Sequence, residues 1–376
     1  MTFLIDGDIR QLRDSADRLF ADAGGVPSLR RCRDARDFEN AARGAWSGMT
    51  ELGLPGVLVP EEFDGSGLGF RASVQVSESM GKALARGPFL STAVMVATAL
   101  RHCGNETLKA ELLPRIAAGD RIIAIAGEEQ ARHRPLAIDT IAHPTKDGFR
   151  VSGRKIGVID GNIASGFIVV ASSADDRTRL HILLVDATSR GINVSSSLGL
   201  DSQPAVIVEF DDVEVSASRI IRGPEQSVQL LDQVYDAGRL HLAAEMLGLS
   251  QEAFDRTLEY LKTRSQFGRL IGEFQALQHR AALLFGELEI ARSVVLKASS
   301  AWDGNDQDAP ALTSLAKARV GEIAKHVTTE AVQLHGGIGV TDDFDIGFYL
   351  KRARVAAERL GDTAFHAERY AALRGL

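Results

Sequence analysis

The sequence predicts an α+β fold in three consecutive parts: an N-terminal helical domain, a middle antiparallel β domain and a C-terminal four-helix bundle. Three observations predict it. Residues 1–121 repeat their apolar positions at helical spacing, residues 122–224 switch to short Val- and Ile-rich runs, and residues 225–376 return to the helical period over much longer stretches.

In the first part, "DIRQLRDSADRLFADA", "FENAARGAWSGMTELG", "FRASVQVSESMGKALARG" and "ETLKAELLPRIAAG" each read as a helix. The Gly- and Pro-bearing "PGVLVPEEFDGSGLGF" between them forbids a continuous helix. In the second part, "RIIAIAGEE", "GFRVSGRKIGVI", "GFIVVASS", "LHILLVDA" and "AVIVEFDDVEV" read as strands separated by turn residues. They predict an antiparallel sheet or small barrel, because no helix between them is long enough to build repeated βαβ units. In the third part, residues 228–264, 274–302 and 310–337 are three long helices, the last ending at its glycines. "DIGFYLKRARVAAERLG" begins a fourth. Long antiparallel helices of this kind form a four-helix bundle.

Composition bounds the function. A chain of 376 residues with 45% hydrophobic and 25% charged residues is that of a soluble globular protein of two or three domains. The net charge of -7 argues against a nucleic-acid partner, which needs a basic face. Cys32 and Cys103 fit no metal spacing and no disulfide framework. No apolar run is long enough to span a membrane. The stretch "MTFLIDGDIRQLRDSADRLF" has early charges and helical periodicity rather than a signal-peptide pattern, so the expected location is the cytoplasm.

Several residues have the chemistry of a binding site. Arg264 closes a long helix, where a guanidinium can make paired hydrogen bonds to a pyrophosphate; a solvated surface arginine is the other reading. Gln333 offers a donor and an acceptor. Gly336 and Gly337 let a phosphate or a polyol approach the backbone, or simply cap a helix. Asp236 and Arg239 stand one turn apart and also suit an ordinary i, i+3 pair. His335, between Gln333 and the glycines, receives no role.

"TRSQFGRLIGEFQALQHRAA" and "AVQLHGGIGV", with "LGLPGVLVPEEFDGSGLGF" near the N-terminus, resemble segments of the acyl-CoA dehydrogenases, and the similarity covers nearly the whole chain. The resemblance implies FAD as cofactor, an acyl-CoA as substrate and an electron-transfer flavoprotein as electron acceptor. It places Arg264, Phe267, Gln275, Gln333, Gly336 and Gly337 at the flavin. Asp236 and Arg239 fall where the family contacts the acyl-CoA, and Arg239 precedes Phe267 by the family's 28 residues.

The same comparison shows what is missing. The family's reaction needs a carboxylate to take the α-proton of the thioester while the flavin takes the β-hydrogen as hydride. Counting from Gly336-Gly337 without a gap puts Leu360 at the usual base position, and an alternative base position is occupied by Gly238. The family's Gly-rich flavin cradle corresponds to "EEQARHRPLAI". Its flavin-shielding Trp corresponds to Gly157, a loss of roughly 200 Å² of flat wall. In the family the lost groups and the kept groups reach one flavin from two different subunits. The resemblance therefore implies a base-lacking subunit of a heterotetramer, partnered by a homologous subunit, of the kind that acts on steroid side chains. Two other readings stay open. One is an active homotetramer with a displaced base, for which Glu358, Asp362 and Asp236 are candidates. The other is a non-enzymatic CoA-binding scaffold on the same fold.

Overall fold

The structure, a computed structural model, describes residues 7–376; the first six residues of the N-terminal stretch discussed above lie outside them. The described chain divides into two compact units. One comprises residues 7–31, Phe70–Ala85 and Arg239–Leu376; the other comprises Cys32–Gly69 and Arg86–Gly238. The division falls inside α2 (Gly25–Ala35) and α7 (Ser227–Thr263) and after the first residue of α4 (Gly69–Ala83).

The first unit is helical. It holds α1 (Gly7–Asp22), α4 (Gly69–Ala83), the larger part of α7, α8 (Gln275–Asp303), α9 (Ala309–His335), α10 (Ile346–Glu358) and α11 (Thr363–Arg374). α9 packs against α8, α10 and α11. α4 and α7 cross at reciprocal glycines: a Cβ on Gly81 would lie 2.0 Å from the Glu245 carbonyl oxygen, and one on Gly248 would lie 1.9 Å from that of Glu78. Only hydrogen fits on either helix at this crossing. The fourth helix of the sequence reading proves shorter than expected. α10 stops at Glu358, and α11 follows as a fifth long C-terminal helix. The break has a local cause, since Leu360 (φ 56°) and Gly361 (φ 108°) both lie in the left-handed region, which no helix continues through.

The second unit is built on an eight-stranded sheet and also holds α3 (Phe38–Glu51), a π-helical stretch (Phe89–Val96) running into α5 (Ala97–Arg101), and α6 (Glu106–Ala117). The strands are β1 (Ile123–Ala126), β2 (Ile141–Pro144), β3 (Gly148–Ile156), β4 (Gly166–Ser173), β5 (Leu180–Asp186), β6 (Ile192–Leu198), β7 (Pro204–Ser216) and β8 (Ile220–Arg222). Their order is β6-β7-β3-β2-β4-β5-β8, with β1 also on β4. Most neighbours are antiparallel as expected, but β4 takes both β1 and β2 in parallel. Val151, Phe167, Val169, Leu183, Val208 and Phe210 are among the side chains that close the core on the sheet.

Candidate functional site

Six residues expected at a cofactor come together on the surface of the helical unit. The phenol of Tyr260 donates to the backbone carbonyl of His335 at 3.4 Å, and the two rings stack with centroids 4.4 Å apart. That contact joins the C-terminal end of α7 to that of α9. Arg264 follows directly, its N–H donating to Tyr260 O. Its carbonyl accepts from Ile271 N at 2.8 Å, which closes a small hairpin of β9 (Ser265–Gln266) and β10 (Arg269–Leu270). Phe267 and Gly268 form the tip, both with positive φ, as a two-residue hairpin turn requires. The Phe267 ring is 91% exposed and meets Phe274 edge-on at 6.1 Å; Gln275 opens α8 beside it. At the other end, Gln333 is exposed and its carbonyl accepts from Gly336 N. Arg264, Gln275, Gly336 and Gly337 are exposed as well, and the Arg264 side chain has no partner among the described residues.

The glycines separate two causes. Gly339 is required by the chain itself, because a Cβ there would lie 2.6 Å from Val332 O. Gly336 has a positive φ of 64°. At Gly337 φ is ordinary and an added Cβ would meet nothing within 4 Å. Nothing in the chain's own packing excludes a side chain at Gly337, and the bare backbone leaves room for a group from outside.

The turn at Leu360 has the opposite character. Leu360 is buried, and its carbonyl accepts from Arg239 Nε at 3.2 Å and from His366 Nε2 at 3.0 Å. Lys317 Nζ donates to Ala357 O at 2.9 Å and Gly361 O at 3.0 Å. Arg239, Lys317 and His366 are all buried, so three donors cover the C-terminal carbonyls of α10, where cations also suit the helix dipole. Burial, reinforced by Arg239, pushes Lys317 down to about 7. Burial, with Lys317 and Arg239 nearby, pushes His366 down to about 2, so this imidazole stays neutral.

The candidate replacement bases are engaged elsewhere. Glu358 is 59% exposed and pairs with Lys325 at 2.9 Å. Asp362 caps α11, its Oδ1 accepting from Phe365 N at 2.8 Å. Asp236 is buried. Arg239, expected at the acyl-CoA, is fully buried; its Nε donates to Leu360 O, and its guanidinium lies 5.4 Å from the centre of the Phe365 ring.

In the sheet unit, the segment "EEQARHRPLAI" is tied down by its own charges. Lys155 Nζ donates to Glu129 Oε1 at 2.6 Å with both side chains buried, and Glu129 also accepts from the backbone N–H groups of Asp139 and Thr140. Burial raises the Glu129 carboxyl, but Lys155 and these donors override it and hold it low. Burial pushes Lys155 down to about 8 against the pull of Glu129. His133 Nδ1 lies 2.7 Å from Glu128 Oε1.

With this geometry in hand, the comparisons with known proteins decide the family. The model described as "Acyl-CoA dehydrogenase, N-terminal domain" matches residues 7–120, and "Acyl-CoA dehydrogenase, C-terminal domain" matches residues 229–372. The chain belongs to the acyl-CoA dehydrogenase family. Among the family's curated members, the probable acyl-CoA dehydrogenase YngJ of Bacillus subtilis is 30% identical over 82% of this chain and 83% of its own length. Among solved structures, a Tcur3481-Tcur3483 steroid ACAD variant is 29% identical, covers 98% of each chain and superposes with a TM-score of 0.87. Butyryl-CoA dehydrogenase from Megasphaera elsdenii shares the fold, with a TM-score of 0.91 over 100% of each chain at 22% identity. Within the described residues no helix is long and apolar enough to cross a membrane.

Sequence reasoning missed Lys155, Lys317 and His366. Lys155 had a faint signal, since it stands four residues after Val151 in a strand and therefore on the same face as that apolar residue. Lys317 and His366 had none: each is one polar residue on a helix, and only the folded bundle puts both at the same turn.

Proposed function

We propose that this chain is a subunit of an FAD-dependent acyl-CoA dehydrogenase complex that desaturates an acyl-CoA thioester between Cα and Cβ. In this reading it lacks a base of its own and completes the flavin site of a homologous partner subunit. One observation carries the reading. The six flavin-type residues Arg264, Phe267, Gln275, Gln333, Gly336 and Gly337 all face outward, while the base position holds Leu360. Outward-facing groups with open space in front of them suit a cofactor held by another chain. The fit to FAD rests on Gly337, whose missing Cβ leaves room the chain does not use, and on Arg264, whose donors have no partner among the described residues.

The roles follow from the residue chemistry. Arg264 would pair with the pyrophosphate, Gln333 would offer its amide to polar atoms of the cofactor, and Gly336 and Gly337 would let the ribityl or phosphate chain approach. Flavin, when bound, supplies the hydride acceptor. The α-proton would be taken by the partner's carboxylate, and an electron-transfer flavoprotein would serve as the electron acceptor of the complex. The likeness to a solved steroid ACAD supports a bulky, steroid-type acyl group as the substrate class.

The test is co-expression with a homologous dehydrogenase subunit, followed by counting flavin and measuring turnover of several acyl-CoAs. The complex should hold flavin and turn over, and the chain alone should do neither. Arg264→Ala should weaken flavin binding in the complex by about thirtyfold, the loss of one charge-assisted bidentate contact of about 2 kcal/mol. Turnover by the chain alone that Glu358→Gln or Asp362→Asn abolishes would show instead a homomeric enzyme with a displaced base.

A further inference from the structure

The two edges of the eight-stranded sheet differ. β8 ends one side of the strand order; it has three residues, carries Arg222 and is at least half-buried throughout. β6 ends the other side. It runs for seven residues, and every one from Asn193 to Leu198 is exposed. Its sequence, INVSSSL, has no charge and no proline, and its register on β7 is continuous, without a bulge. Short length, charge, proline, bulges and covering elements are the means by which sheets keep a free edge from pairing with another strand. β6 uses none of them.

The ladder fixes which backbone groups this edge presents. Asp211 N donates to Gly191 O and Gly199 N to Gln203 O, both at 2.8 Å, at the two ends of the β6–β7 pairing. Bonded pairs recur at every second residue of an antiparallel ladder, so Asn193, Ser195 and Ser197 turn their N–H and C=O towards β7. Pro204, which has no N–H to give, stands opposite Leu198 at a non-bonded position, as this phase requires. Val194, Ser196 and Leu198 turn their backbone groups outward. The side chains alternate as well. Ile192 packs on the core of the sheet, and Val194 and Leu198 share its face, yet they are 39% and 49% exposed. The apolar face therefore runs past what this chain covers.

A row of outward N–H and C=O groups has one complement, another extended strand. The side-chain pattern selects which. A two-fold axis at Ser196 sets β6 antiparallel to β6 of a second copy, with Ser196 opposite Ser196 and Val194 opposite Leu198. The outward groups of these residues then meet in bonded pairs, each exchanging two N–H···O bonds. The exposed apolar side chains face one another, and neither strand brings a charge to oppose them. Such an isologous contact consumes both edges and closes, whereas an added strand of another kind presents a new free edge. We propose that β6 is an interface between two copies of this chain, joined by two-fold antiparallel pairing of Ile192–Leu198 into one continuous sheet. One strand pair buries less than the about 800 Å² per subunit of a standard interface, so the dimer is reversible. β6 lies in the sheet unit and the flavin-type residues lie in the helical unit, so the contact is independent of the dehydrogenase reading.

Disulfide trapping of the full chain tests it. Ser196→Cys sets two thiols on Cα atoms about 5.5 Å apart across the axis, within disulfide range. Asn193→Cys sets them about 20 Å apart, out of range. The native Cys32 and Cys103 are buried and do not compete. Under mild oxidation Ser196→Cys should form a covalent dimer at least about tenfold faster than Asn193→Cys. Adding Val194→Lys to the Ser196→Cys chain should slow trapping about tenfold, because lysine is a side chain that blocks strand edges. All three positions are exposed, so the substitutions leave the folded sheet in place. No covalent dimer from Ser196→Cys overturns the proposal and leaves the edge to an extended segment of another protein. Equal trapping at residues 193 and 196, or trapping that Val194→Lys does not slow, overturns it as well.

Discussion

Leu360 and Phe267 share a backbone conformation and little else. Their φ angles are 56° and 55°, both in the left-handed region that bulky side chains avoid. At Leu360 the chain itself enforces the strain. Arg239, His366 and Lys317 hold the carbonyls at residues 357, 360 and 361, and the side chain is 7% exposed. At Phe267 only a two-residue hairpin turn enforces it, and the ring is 91% exposed. Strain persists where its surroundings over-determine it. The Leu360 turn finds those surroundings inside the chain. The Phe267 tip gains little more than an edge-on contact with Phe274 from its own chain, which supports a role in contact with something else.

Three changes would break or sharpen this contrast. The largest effect should come from Arg239→Leu, which leaves Leu360 O short of a donor and removes a fully buried cation from the Lys317 and His366 cluster. Loss of one member of such a buried network costs about 3–5 kcal/mol. A shift in the urea midpoint worth less than about 1 kcal/mol would mean the turn is not held as described.

A smaller, pH-dependent effect should come from Lys317. Its ordinary value is 10.5 and burial lowers it to about 7 in the folded chain. Between those values the unfolded chain binds a proton that the folded chain does not. Stability should therefore rise with pH through this window, by up to about 1.4 kcal/mol per pH unit. Lys155, pushed down to about 8, adds the same sign at higher pH. Urea midpoints of the wild type and Lys317→Met between pH 7 and 9 should diverge, with the variant the flatter. Parallel profiles would place the Lys317 proton elsewhere.

The smallest effect is the most discriminating, because its sign should differ between the two turns. Phe267→Gly removes left-handed strain and loses no burial, so the chain alone should keep or gain up to roughly 1 kcal/mol, the gain being partly offset by unfolded-state entropy. Leu360→Gly relieves the same strain but empties a buried site, and should destabilise by about 1–2 kcal/mol. Equal shifts in thermal midpoint for the two variants would remove the distinction.

The sequence by itself determined the succession of a helical region, a β region and a helical bundle. Its long helices at 228–264, 274–302 and 310–337 match α7, α8 and α9 closely, because their apolar spacing is sustained over many turns. It also determined the family and the outward-facing set from Arg264 to Gly337, because those motifs are local in the chain. It did not show β2, β6 or β8. "IAHP", "INVSSSL" and "IIR" are short or serine-rich and become strands only through their ladder partners. The break between α10 and α11 was equally hidden, since Leu360 is an ordinary helix former held out of helix by donors distant in the chain: Arg239 bonds its carbonyl from 121 residues away, and Lys317 bonds that of Gly361 from 44.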